Sequence, residues 1–106
     1  MPKQEPLTES YFYILLCLYK ENLHGYGIMQ KAKELSEGKV AIGAGTMYGA
    51  TSNIMKKGWI EEILEETKDE RGKRLYQLTE NGKQVLKQEV VRLENLITNA
   101  KSIMEN

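Results

Sequence analysis

A chain of 106 residues is the size of one compact domain, which excludes a multidomain enzyme or a dinucleotide fold with its own substrate domain. At 41% hydrophobic and 28% charged it is too apolar to remain disordered, and 15 Lys and Arg against 15 Asp and Glu leave no net charge, so any electrostatic argument must be local. A single cysteine, Cys17, excludes an intramolecular disulfide and a cysteine metal site, and the longest apolar run, Tyr11 to Tyr19, is far short of the roughly 20 residues that span a bilayer.

In chain order, Pro6 closes an extended leader. Thr8 then offers a hydroxyl cap, with Glu9 in the first turn, to a helix predicted from Glu9 to Lys20. Tyr11 to Tyr19 makes that helix apolar around its whole circumference, where a surface helix of a small monomer carries one stripe. Asn22 and Gly25 break it. A second helix is predicted from Tyr26 to Ser36, with Tyr26, Ile28 or Met29, Ala32 and Leu35 toward the core and Glu37-Gly38 as its stop. Lys39 to Gly45 is a connector. Thr46 is positioned to cap a third helix running to Lys57, with Met47, Ala50, Ile54 and Met55 inward and Gly58 at its end. Trp59 to Glu66 and Lys73 to Leu78 read as antiparallel strands around the turn Lys68-Asp69-Glu70-Arg71-Gly72, with Tyr76 and Leu78 on one face. Thr79 opens the last helix, in which Leu86, Val90, Leu93, Ile97, Ala100 and Met104 step by four and three as a heptad seam widened by Leu96 and Ile103.

A helix carrying that seam from Glu80 to Glu105 would be about 39 Å long at about 1.5 Å per residue and cannot bury the seam alone. A two-fold dimer covers it, with Tyr11, Phe12, Leu15, Leu16 and Tyr19 of the first helix and Leu86, Val90, Leu93, Leu96, Ile97, Ala100 and Met104 of the last at the joint. The competing arrangement is a lone amphipathic helix folded back on its own domain. The expected fold class is therefore mainly α with a small two-stranded β-hairpin: a winged helix-turn-helix over residues 1–78 and a C-terminal dimerisation helix over 79–106.

Four elements carry a resemblance to a known family: Leu23-His24-Gly25-Tyr26-Gly27-Ile28-Met29, Gly45-Thr46-Met47-Tyr48, Lys57-Gly58-Trp59-Ile60 and Tyr76-Gln77-Leu78-Thr79-Glu80-Asn81-Gly82. Over Phe12 to Leu86 the chain resembles the PadR family of bacterial transcriptional regulators, in its compact subgroup with one short C-terminal helix. The resemblance implies a homodimeric repressor on a palindromic operator, often released by a small aromatic or drug-like effector. Family members usually carry proline where this chain has Ala44 and Gly49, and a drug-binding relative would carry a tryptophan on the last helix, whereas Trp59 is the only one here. An effector lying between protomers would meet Phe12, Tyr13, Leu16, Leu93, Ile97 and Ala100.

The residues point toward double-stranded DNA on their own account. Gly38 to Ile60 contains no acidic residue but holds Lys39, Lys56 and Lys57, and Thr67 to Lys87 has six basic residues against three acidic ones. A helix start at Thr46, flanked by Gly45 and Gly49, offers free N–H groups to a phosphate, and Tyr48 and Thr51 add hydroxyls. Ser52 and Asn53 are candidates for base edges, because an amide bonds adenine in both directions at once. Thr46 acting as a plain cap is compatible with the same placement. Lys68, Arg71, Lys73 and Arg74 would give the wing a second footprint on phosphates or the minor groove, although a merely solvated hairpin tip fits too and Asp69 and Glu70 oppose it.

Chemistry is harder to assemble. The only histidine, His24, lies at a helix break and the only aspartate, Asp69, in a turn, while Glu61, Glu62, Glu65 and Glu66 split between two strand faces as a solvated surface. No enzyme activity, cofactor, metal or membrane partner is expected, and an N-terminus without the basic-then-apolar order of a signal peptide predicts a cytoplasmic protein. Two other readings stand beside DNA binding: a dimeric winged-helix module that binds proteins, and a small-molecule sensor whose DNA contacts have decayed.

Overall fold

A computed structural model describes residues 5–63 and 74–105. Thr8 caps α1 (Glu9–Cys17) by accepting a hydrogen bond from the Tyr11 N–H at 3.1 Å. The helix stops short of the expected Lys20 because the Leu18 and Tyr19 amides reach back only three residues, to the Leu15 and Leu16 carbonyls, and tighten the last turn. The segment expected to be a plain break then forms a short strand, β1 (Leu23–His24), before α2 (Gly25–Leu35). After α2, Glu37 and Gly38 take positive φ, and the Gly38 N–H bonds back to the Lys33 carbonyl at 2.8 Å. The Ser36 hydroxyl accepts from the Val40 N–H at 2.8 Å, which turns the chain toward α3 (Ala44–Lys56).

α3 starts earlier than its threonine suggested. Gly43 occupies the cap position with extended backbone, its carbonyl taking the Met47 N–H at 2.8 Å, so Thr46 lies inside the first turn and is not the cap. Gly58, with φ of 80°, ends this helix and hands the chain to β2 (Ile60–Ile63). β2 pairs antiparallel with β3 (Leu75–Leu78), Ile60 opposite Leu78 and Ile63 opposite Leu75, so the hairpin is present, with its tip and residues 64–66 and 73 outside the described residues. The sheet has three strands in the order β1-β3-β2, not two, because Leu23 and His24 pair with Tyr76 and Leu75. Two residues show no period along the chain, and their partners lie some fifty positions away.

α4 (Glu80–Met104) begins as expected, Thr79 accepting from the Gly82 N–H at 3.0 Å. Ile14, Leu15, Ile28 and Ile54 are sealed at the centre of the core, joined by Met47, Ala50, Ile60, Tyr76, Leu78 and Leu86. Tyr26 and Leu35, expected inward on α2, are instead 71% and 49% exposed; Ile28 and Ala32 alone fill that helix's buried face. Beyond Leu93 no side chain of α4 is buried, and this free half makes the molecule 60 Å long against 34 and 23 Å across. No helix among the described residues is long and apolar enough to cross a membrane.

Candidate nucleic-acid interface

The core face of α3 is Met47, Ala50, Thr51 and Ile54, which turns Gly45, Thr46, Tyr48, Gly49, Asn53 and Lys56 outward. Tyr48 is 66% exposed, and Gly45 and Gly49 have open space where a Cβ would stand, so nothing within the protomer asks for glycine at either place. The helix start is polar and accessible, and the α3 surface carries cations without a neighbouring acid in sequence.

Not every expected contact survives this geometry. Thr51 is only 2% exposed and its hydroxyl donates to the Met47 and Tyr48 carbonyls at 3.0 and 3.1 Å, so it cannot meet a phosphate. Ser52 is half-buried. Asn53 donates from Nδ2 to the Tyr11 hydroxyl of α1 at 3.2 Å. The Lys57 ammonium stands 5.2 Å from the Trp59 ring centroid, a cation–π contact that leaves it on the flank of the helix. Lys39 is exposed, on the turn before α3.

At the wing, Arg74 is exposed and its Nε lies 3.6 Å from Glu62 Oε1, while His24 Nδ1 is 3.1 Å from the Arg74 carbonyl oxygen, tying the start of β3 to the start of α2. Lys68, Asp69, Arg71 and Lys73 lie outside the described residues. Glu61 accepts from Gln77 Nε2 at 3.2 Å, so Glu61 and Glu62 are exposed and make cross-strand surface contacts, while Glu65 and Glu66 lie outside the described residues. Among the described residues no cluster of three His, Cys, Asp or Glu could hold a metal ion. Burial pushes the Cys17 thiol up to about 11 and its Sγ faces the Ile28 carbonyl at 3.8 Å, so it is neither a nucleophile nor a ligand at neutral pH.

The expected dimer residues divide in two. Leu15 is fully buried and Leu86 4% exposed, both in the protomer's own core, which corrects these two from joint to core; Tyr11 is half-buried, its hydroxyl accepting from Asn53 of α3. Phe12 and Leu16 lie on the other side of α1 and Tyr19 just beyond its end, and Val90, Leu96, Ile97, Ala100 and Met104 are exposed along α4, with Leu93 half-buried. The effector candidates also separate. Phe12, Tyr13 and Leu93 share a cavity of about 370 Å³ with Lys39, Val40 and Arg92, whereas Leu16 lies in an apolar groove of about 470 Å³ with Tyr19, Val90 and Val91. Ile97 and Ala100 stand farther out on α4, lining neither.

Sequence reasoning missed Glu89. It is 1% exposed, held by Arg92 Nε and Nη2 and by the Leu7 N–H. A glutamate in a charged helix carries no sign of burial; only its spacing of three from Leu86 and four from Leu93 hinted at it.

The model of the transcriptional regulator PadR-like family matches residues 14–88. Among solved structures, the chain is similar to a transcriptional regulator of Clostridium thermocellum, with a TM-score of 0.76 at 21% identity over 90% of this chain and 89% of that one. It is similar to PadR of Bacillus subtilis in complex with operator DNA, with a TM-score of 0.72 at 25% identity, covering 83% of this chain and 49% of that longer one. A PadR family transcription regulator of Clostridium difficile matches at 27% identity and a TM-score of 0.68 over 93% of this chain and all, 100%, of that one. No protein of curated function matches.

Proposed function

The chain belongs to the PadR-like family of transcriptional regulators, and from that premise we propose that it is a cytoplasmic repressor binding a palindromic DNA operator as a homodimer. It is a DNA-binding regulator and not an enzyme. Residues 1–78 form the unit that meets DNA and residues 79–106 the dimerisation helix. The observation that carries this reading is the outer face of α3: accessible, free of acids, and presenting Thr46, Tyr48, Asn53 and Lys56 from a helix whose other face is locked in the core.

Phosphates are met by the amides of the α3 start, the Tyr48 hydroxyl and Lys56, with Lys39 and the wing cations flanking. Asn53, exposed although its Nδ2 also donates to the Tyr11 hydroxyl, is the base-reading candidate, and half-buried Ser52 a secondary one. The exposed seam of α4, with Phe12, Leu16 and Tyr19, joins two copies so that their α3 helices enter successive major grooves about 34 Å apart. A small apolar effector against Phe12, Tyr13 and Leu93 releases the operator by favouring another spacing.

Fluorescence anisotropy with duplex DNA from upstream of the protein's own gene, repeated at several salt concentrations, tests the reading. Affinity falls steeply with salt if phosphates are neutralised. Negligible affinity even at low salt overturns it and leaves a protein-binding winged helix.

A further inference from the structure

Glu89 is the one charged side chain buried among the described residues, at 1% exposure. Its Oε1 accepts from Arg92 Nε at 2.7 Å, and its Oε2 accepts from Arg92 Nη2 at 2.8 Å and from the Leu7 backbone N–H at 3.0 Å. A bidentate guanidinium and a main-chain donor leave the carboxylate little freedom to turn. Leu7 immediately precedes Thr8, the cap of α1, so a residue of α4 grips the chain at the start of α1, where the helix dipole favours a negative charge.

The place of this clasp along α4 matters. Leu86, one turn before it, is 4% exposed and belongs to the core; Leu93, one turn after it, is half-buried; from Glu94 onward every described side chain of α4 is exposed. Glu89 therefore sits where α4 parts from the body. Apolar contacts hold a helix against a surface without fixing its slide, whereas the one directed hydrogen bond from the Leu7 amide, to a carboxylate that Arg92 of the same helix keeps oriented, ties a single point of α4 to a single point of the body. A small change of angle here is carried out along the free half of α4, about 16 Å of helix beyond Leu93 at about 1.5 Å per residue.

We infer that the Glu89–Arg92 pair, closed on the Leu7 amide, is a positioning device that sets the direction in which α4 leaves the body and so the separation of the two α3 helices in the dimer. This rests on the dimeric DNA-binding reading above. Glu89 and Arg92 touch no DNA; they act through the geometry of the joint.

The test uses the full chain, the operator footprinted upstream of its own gene, and the same operator with its half-sites moved apart by one or two base pairs. The wild type is expected to prefer one spacing sharply. Glu89→Gln loses the charge and one acceptor position, and is expected to remain dimeric by ultracentrifugation while its affinity for the preferred spacing falls about tenfold and the others change less than about twofold, flattening the ratio. Arg92→Gln, which spares the carboxylate and the Leu7 bond, is expected to flatten it less, and it decides the matter if Glu89→Gln does not fold. A purely structural role lowers affinity for all spacings alike, so an unchanged ratio in the folded variants overturns the inference. A wild type that ignores duplex DNA altogether removes the DNA reading and this one together, whereas sharp wild-type spacing retained by both variants removes this one alone.

Discussion

At the scale of single residues, the spacing of Tyr76, Leu78, Thr79 and Gly82 has a local mechanical meaning. Thr79 caps α4, its hydroxyl donates to the Gly58 carbonyl at 2.6 Å, and its N–H bonds the Trp59 carbonyl at 3.0 Å, so the end of the hairpin and the turn after α3 are stitched at one point. A Cβ on Gly82 would run into the Trp59 carbonyl oxygen and the Leu78 side chain. Gly82→Ala is accordingly expected to cost about 2–3 kcal/mol, since backbone must shift, and urea unfolding measures it. Glu89 gives a pH prediction. The Arg92 hydrogen bonds, and then the Leu7 N–H, hold its carboxyl below the ordinary carboxylate range against the opposing effect of burial. The clasp therefore stabilises the fold above the carboxylate's unfolded range, and that contribution fades as pH falls through the lower folded value. Because Arg92 is one-third exposed, Glu89→Gln should cost about 1–2 kcal/mol at neutral pH, and the gap from wild type should close on acidification in urea titrations at each pH. Cys17, fully buried with its thiol pushed up to about 11, should react with thiol reagents only at the rate of unfolding, which a colorimetric thiol assay follows.

At the scale of elements, α3 and α4 each carry a feature that the protomer does not explain by itself. Gly49 lies outward on α3 with open space around it, in a helix interior where glycine costs up to about 1 kcal/mol relative to alanine. Gly49→Ala is expected to raise the melting temperature in a thermal scan, because alanine holds a helix better than glycine and the added Cβ meets nothing. On α4, Leu96, Ile97, Ile103 and Met104 are between 53% and 81% exposed. Ile97→Glu should therefore leave the protomer folded by circular dichroism while shifting ultracentrifugation toward monomer, since nothing in the core depends on that position. The starts of α1 and α4 were legible from Thr8 and Thr79, whose hydroxyls do what their types and positions suggest. The start of α3 was not, because Gly43 caps it through backbone alone and Thr46 offered a more conspicuous but unused hydroxyl.

For the whole molecule, zero net charge hides a polarised one: a stretch from Gly38 to Ile60 without acids on the α3 side, and paired charges elsewhere. The order of the four helices and the paired strands β2 and β3, the inward positions Ala32, Met47, Ala50 and Ile54, and the apolar seam of α4 were all determined by the sequence, because each is a property of residue types at helical or strand spacing. The tertiary structure alone decided the third strand, the inward turn of Thr51, the burial of Leu15 and Leu86 in the protomer's own core, and the burial of Glu89. The reason is common to all four. Periodicity tells which residues share a face, but which neighbour that face meets depends on contacts between segments distant in the chain, and a polar group reveals its burial only through the partner that satisfies it.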